Sequence, residues 1–271
     1  MSALTFTLRS APAQRVDVGM LNPAALAGQA ASDIAAIALN VGKRAVRADE
    51  LFDITGDDTT DIVFRGDCRT LERIGAGMKS GRVTVDGDAG PYVGQGLLGG
   101  TITVSGSAGA FCATGMKGGR IEVAGDVGES AGGAIPGEMK GMAGGLLLVG
   151  GHAGDRLGDR MRRGQILVGG NAGDYCGSRM IAGTIAVAGS LGAYPAYGMK
   201  RGTLILNTLP AQMLPTIVDC GAHRLGFLSL LYASWKGLPG PFGALDAGAC
   251  TVRRYMGDMA VGGRGELLVR G

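Results

Sequence analysis

Apolar residues in the middle of this chain alternate over short stretches, and the stretches themselves recur. Segments starting at Gly77, Gly96, Gly115, Gly141, Arg160, Arg179 and Gly198 read GMKSGRVTVDGDAG, GLLGGTITVSGSAG, GMKGGRIEVAGDVG, GMAGGLLLVGGHAG, RMRRGQILVGGNAG, RMIAGTIAVAGSLG and GMKRGTLILN. Successive starts are 19 residues apart, except that Gly115 to Gly141 adds a seven-residue insertion near 132–138. The seventh and ninth positions are branched and apolar throughout, from Val83 and Val85 to Leu204 and Leu206. That period of two is the signature of a strand with one buried face. The second position is Met or Leu, and the fifth is glycine in all seven segments, from Gly81 to Gly202.

One such strand cannot bury its apolar face alone, so the repeats are expected to stack with like positions over one another. The expected fold is all-β: a right-handed parallel β-helix of about seven 19-residue coils with small N- and C-terminal capping segments. At roughly 4.8 Å per coil it would stand about 30–35 Å tall. A 19-residue coil is longer than the hexapeptide type, which favours the right-handed form. The expected division is 1–60 as an N-terminal capping segment with helix, 61–207 as the repeats, and 208–271 as a C-terminal extension. Asn22 to Leu39 reads as one helix or two short ones, with Asn22 capping and Pro23 in the first turn. Thr60 to Gly66 reads as a strand of an irregular leading coil. Leu225 to Trp235 is apolar and expected helical or buried, and Glu266 to Arg270 reads as a closing strand in a tail that folds back or reaches a partner.

Composition changes this picture little. The 52 glycines without a Gly-X-Y period fit one turn used many times rather than collagen. A net charge of +3 is too mild to argue for nucleic acid. The N-terminus lacks the charged and apolar regions of a signal peptide, and no run is long enough to span a membrane. With five well-separated cysteines and no C-x-x-C pair, a cytoplasmic protein with reduced thiols is expected. Two histidines, His152 and His223, are too few for a three-His zinc site, and His152 shares the twelfth column with Asp88, Ser107, Asp126, Asn171 and Ser190, as a turn residue would. The glycine runs do not match a phosphate loop, because strands and not helices follow them. No catalytic or metal-binding residue is expected in this chain.

The 19-residue glycine repeat resembles the right-handed β-helix shared by the C-terminal region of glutamate synthase and the C subunit of formylmethanofuran dehydrogenase. The glutamate synthase likeness spans only Gly66 to Asn207. The likeness to the dehydrogenase C-subunit family spans nearly the whole chain, including AGQAASDIAAIALNVGKRAVRADELFDITGD and RRYMGDMAVGGRGELLV. It implies a non-catalytic structural subunit beside an amidohydrolase-like subunit, a formyltransferase subunit and a further subunit. Twenty Arg against six Lys favour the bacterial formyltransferase/hydrolase version, which works in tetrahydromethanopterin-linked one-carbon metabolism with methylofuran. The alternatives are the C subunit of a molybdenum or tungsten formylmethanofuran dehydrogenase, or a β-helix subunit associated with glutamate synthase.

The third repeat position carries Lys79, Lys117, Arg162 and Lys200 in alternate repeats, with Arg160 and Arg179 close to the same edge. Stacking would set the third-position cations roughly 9–10 Å apart. Methanofuran-type cofactors carry glutamate chains, and a row of cations complements a row of carboxylates. These six residues are the expected tether for the polyglutamyl arm of methylofuran, with no covalently bound cofactor. The bland reading of the same residues is a solvated face or a set of ion pairs to a partner.

Overall fold

A computed structural model describes residues 2–270. The protein is mostly strand, with one 13-stranded sheet and a second sheet of four strands. The large sheet is built by the repeat. The strand Thr101–Val104 lies between Arg82–Asp86 and Arg120–Val123, parallel to both, and the series continues through Ala143–Val149, Arg163–Val168, Thr184–Val187 and Thr203–Leu206. The register joins like to like: Val83 pairs with Ile102, Ile102 with Ile121, Ile121 with Leu147, Leu147 with Ile166, Ile166 with Ile185 and Ile185 with Leu204. All seven side chains are fully buried. A second parallel ladder of single bridges runs Cys68, Ala89, Ala108, Val127, Ala153, Ala172 and Leu191. Each repeat is therefore bonded to its neighbour in these two ladders and by further backbone hydrogen bonds along its length.

The invariant columns have steric causes. A Cβ on Gly100, whose φ is +84°, would lie 2.6 Å from the Gly81 carbonyl oxygen of the repeat before it. It would also lie 2.8 Å from the Met78 methyl group. The second-position Met of one repeat thus packs under the fifth-position Gly of the next, and the same pairing recurs for Met116 with Gly145 and Met142 with Gly164. Glycine makes room for both a close backbone approach and a methionine that fills the gap.

The ends close the sheet with antiparallel strands. The strands Ala3–Leu8 and Asp58–Arg65 extend the parallel series at one end, and Phe52–Thr55 pairs antiparallel outside them. Phe6, Phe52 and Phe64 plug that end with ring centroids 5.4–6.3 Å apart. Pro23–Leu26 and Ala31–Ala35 are two short helices, and the Asn22 side chain accepts from the Ala24 and Ala25 amides. The chain is already extended again at Ala38, where a small antiparallel pairing begins.

At the other end the series continues past Asn207. Gly265–Arg270 pairs parallel with Thr203–Leu206, so Leu267 lies over Leu204 and Val269 over Leu206. Thr251–Gly257 and Val218–Arg224 then add antiparallel strands outside it. Between them the helix Phe227–Trp235 covers the outer face of the sheet. Leu228, Tyr232, Trp235 and Phe242 bury Leu148, Leu167, Ala186, Ile205 and Leu268, and Trp235 donates to Gln165 at 2.7 Å. This explains a drift along the eighth repeat position, from Thr84, Thr103 and Glu122 to Leu148, Leu167, Ala186 and Ile205. The position is polar where the sheet faces solvent and apolar where the C-terminal segment covers it. Among the described residues no helix is long and apolar enough to cross a membrane.

Candidate functional site

The third-position column is fixed by backbone hydrogen bonds to the repeat before. Leu98 donates to Met78, Lys117 to Leu97, Arg162 to Met142 and Lys200 to Met180, at 2.7–2.8 Å. The columns are therefore stacked, and Lys79, Lys117, Arg162 and Lys200 are exposed along one edge. Arg264 continues the edge, since its amide donates to the Lys200 carbonyl at 2.8 Å. Its place was not legible in the sequence, because a long excursion separates it from the repeat it joins.

The six expected cations do not behave alike. Among the described residues Lys79, Lys117 and Arg162 make no ion pair, while Arg160 and Arg179 both face the Asp159 carboxylate. Arg179 binds it with two nitrogens at 2.8 and 2.6 Å, and the Ser178 hydroxyl donates to it at 2.6 Å. The hydrogen bonds to Asp159 hold the Arg179 guanidinium above its ordinary range. Asp159 is buried, which marks it as the counter-charge that orders this corner. The Arg160 guanidinium is 3.9 Å from Asp159, and its Nη1 lies 2.8 Å from the sulfur of Met139. Lys200 Nζ donates to the Val261 carbonyl at 2.7 Å. The four third-position cations and the two neighbouring arginines expected from the sequence are thus, among the described residues, three free cations and three engaged ones.

Met139 lies on the added segment, which the structure sets within 133–141 because the Met142 amide donates to the Gly132 carbonyl as Leu97 does to Gly94, and its backbone is tied to the same corner. The Ala134 amide donates to the Asp159 carbonyl and the Gly141 amide to the Arg160 carbonyl. Nothing in the sequence showed which edge the insertion would cover. The twelfth column is an exposed ladder: Ser107, Asp126, His152, Asn171 and Ser190 each donate their amide to the side chain one repeat earlier. In it His152 Nδ1 accepts from Asn171 at 3.0 Å. Burial pushes the thiols of Cys112 and Cys176 up to about 12, so neither is a ready nucleophile. Among the described residues no three His, Cys, Asp or Glu side chains gather as metal ligands would.

No protein-family profile matches the chain. Its backbone superposes on a chain of the crystal structure of the formyltransferase/hydrolase complex FhcABCD from Methylorubrum extorquens in complex with methylofuran. The TM-score is 0.93 and the identity 43%, over 98% of this chain and 99% of that one. This chain belongs to the C-subunit family of formyltransferase/hydrolase complexes. Among curated relatives, the C subunit of that complex from Methylorubrum extorquens is 43% identical over 86 residues, 32% of each chain. The C subunit of the tungsten-containing formylmethanofuran dehydrogenase 2 of Methanococcus maripaludis is 29% identical over 95 residues. The C subunit of the molybdenum-containing formylmethanofuran dehydrogenase 1 of Methanosarcina barkeri is 32% identical over 84. These aligned stretches span about a third of the curated relatives they match.

Proposed function

We propose that this chain is the structural subunit of a formyltransferase/hydrolase complex, holding an amidohydrolase-like subunit, a formyltransferase subunit and a further subunit in place for methylofuran-linked one-carbon transfer in the cytoplasm. The observation that carries the reading is the end-to-end match to one chain of the FhcABCD assembly in complex with methylofuran. The stacked repeats support it, because most of their fixed positions are spent on packing and on hydrogen bonds to the neighbouring repeat, as suits a scaffold. In this reading the repeats wind as a right-handed parallel β-helix over 61–207, with 1–60 and 208–271 as its closing segments. The backbone bonds at several places in each repeat and the 19-residue register support that winding.

The exposed edge is read as the tether. Lys79, Lys117 and Arg162 offer unpaired charge at roughly 9–10 Å intervals, and Arg160, Arg179 and Lys200 continue the same edge. Residues of that kind suit a chain of carboxylates, which cations spaced along a rod can grip at several points. Affinity purification of the tagged chain from its own cells, read by native mass spectrometry, tests the scaffold: an assembly of four different subunits is expected, and a chain that elutes alone refutes it. A molybdenum or tungsten pterin subunit in the assembly would favour the dehydrogenase reading that the Methanococcus and Methanosarcina relatives suggest. The tether is tested with Lys79→Ala/Lys117→Ala/Arg162→Ala in the assembled enzyme. Methylofuran retention at low salt should fall at least about tenfold, and unchanged retention rejects it.

A further inference from the structure

Two segments break the 19-residue pattern, the insertion and the returning tail, and both end at the same cavity. It encloses about 430 Å³. The insertion contributes Met139, the tail contributes Asp258 and Val261, and the repeats contribute Arg160, Arg179 and Lys200. Ile181 and Tyr197 complete an apolar wall with Met139 and Val261. A space assembled from three distant parts of the chain, lined by both cations and apolar groups, has the make-up of a small-molecule site.

The charges in it are not evenly settled. Asp159 takes both nitrogens of Arg179. The Asp258 carboxylate accepts from the Gly198 and Ala260 amides, and Lys200 donates to Val261. Arg160 has only the distant edge of Asp159 and the thioether of Met139, a weak acceptor. The backbone does not call for an arginine here. Arg160 has φ +57°, in the column where Gly77, Gly96, Gly115 and Gly198 have φ of +62° to +65°. An arginine in place of the usual glycine costs on the order of 1 kcal/mol in backbone strain. The same left-handed backbone is held by Arg179 at φ +52° and by Tyr92, Phe111 and Tyr175, so what points to a use for Arg160 is its weakly satisfied guanidinium rather than its backbone.

We propose that this cavity binds an amphipathic organic anion, with a carboxylate on Arg160 beside Lys200 and an aromatic or short acyl body against Met139, Ile181 and Tyr197. The proposal rests on reading this edge as anion-binding, and adds that its apolar lining selects for an apolar body, which a bare row of cations cannot do. Calorimetry on the full chain would compare N-benzoyl-L-glutamate with N-acetyl-L-glutamate. The benzoyl compound should bind at least about tenfold more tightly. Arg160→Gly restores the residue that the repeat uses elsewhere, so it should fold, and it should weaken both ligands. Met139→Ser, on an exposed loop, should weaken the benzoyl compound alone. Equal affinities for the two ligands, or benzoyl binding unchanged by both substitutions, would overturn the proposal. Loss of tethering in the Lys79, Lys117 and Arg162 triple variant with this discrimination intact would still separate the cavity from the row.

Discussion

Gly96 and Gly100 sit four residues apart, both with left-handed φ, at +64° and +84°. They should differ sharply in what an alanine does. At Gly96 an added Cβ meets nothing within 4 Å, so the cost is the backbone term alone, about 1–2 kcal/mol. At Gly100 the Cβ would lie 2.6 Å from the Gly81 carbonyl oxygen and 3.0 Å from the Ser80 carbonyl carbon. Both are backbone atoms held by the inter-repeat bonds, so the clash can be relieved only by parting two repeats. Overpacking of that kind adds about 1–3 kcal/mol, for a total of about 2–5. At about 2 °C per kcal/mol for a chain of this size, Gly100→Ala should lower Tm by about 4–10 °C and Gly96→Ala by about 2–4 °C. Thermal and urea unfolding followed by circular dichroism and by the single tryptophan, Trp235, would read both. Equal losses at the two sites would refute the argument that contact between repeats, rather than φ alone, fixes the fifth column.

Two further outcomes follow from the polar features. His152→Asn should leave stability within about 0.5 kcal/mol, since Asn171 performs the same acceptance one repeat later, whereas His152→Ala should lose about 1 kcal/mol; urea midpoints that rank the two variants the other way would exclude the ladder as a stabilising device. Burial works to raise the Asp258 carboxyl, but hydrogen bonds from Thr216, Gly198 and Ala260 outweigh it and hold the group below its ordinary value. The folded pKa is thus below the unfolded one, so its contribution is present above about pH 4 and is lost as pH falls through the folded value. Asp258→Asn should flatten the acid limb of the Tm profile, and an unchanged limb would assign acid sensitivity elsewhere.

The repeat register was legible because its cause is local and recurs. Val, Ile, Met and Gly stand in fixed columns, and any departure would bury a polar group or collide with the repeat before. The closing strand at Gly265–Arg270 was legible as a strand but not as the next member of the parallel series. Its ELLV pattern matches the seventh and ninth positions, yet the long excursion before it hides the period. The strand Ala3–Leu8 escaped notice for a similar reason, since it lacks the flanking glycines that mark the others. The excursion had left a trace, though. The eighth position turns apolar from Leu148 onward, and an outward-facing position in a half-buried strand has no cause to do so unless something covers it.

The site was legible only as far as the repeat carries it. Stacking one column places Lys79, Lys117, Arg162 and Lys200 on an edge, and periodicity alone sufficed for that. What distinguishes Arg160 and Arg179 from the free cations is Asp159, whose column holds Ala76, Gln95, Thr114, Lys140, Ser178 and Tyr197 elsewhere. A residue without an equivalent in other repeats gives periodicity nothing to read. The same holds for the insertion and the tail, which interrupt the period and then meet at that corner. In a stack of repeats whose regular positions are spent on holding neighbours together, specificity has to be built from the exceptions, and here the exceptions share one address. Restoring the period there, as Arg160→Gly does, should therefore leave the stacked repeats folded while weakening the anion binding proposed for this corner.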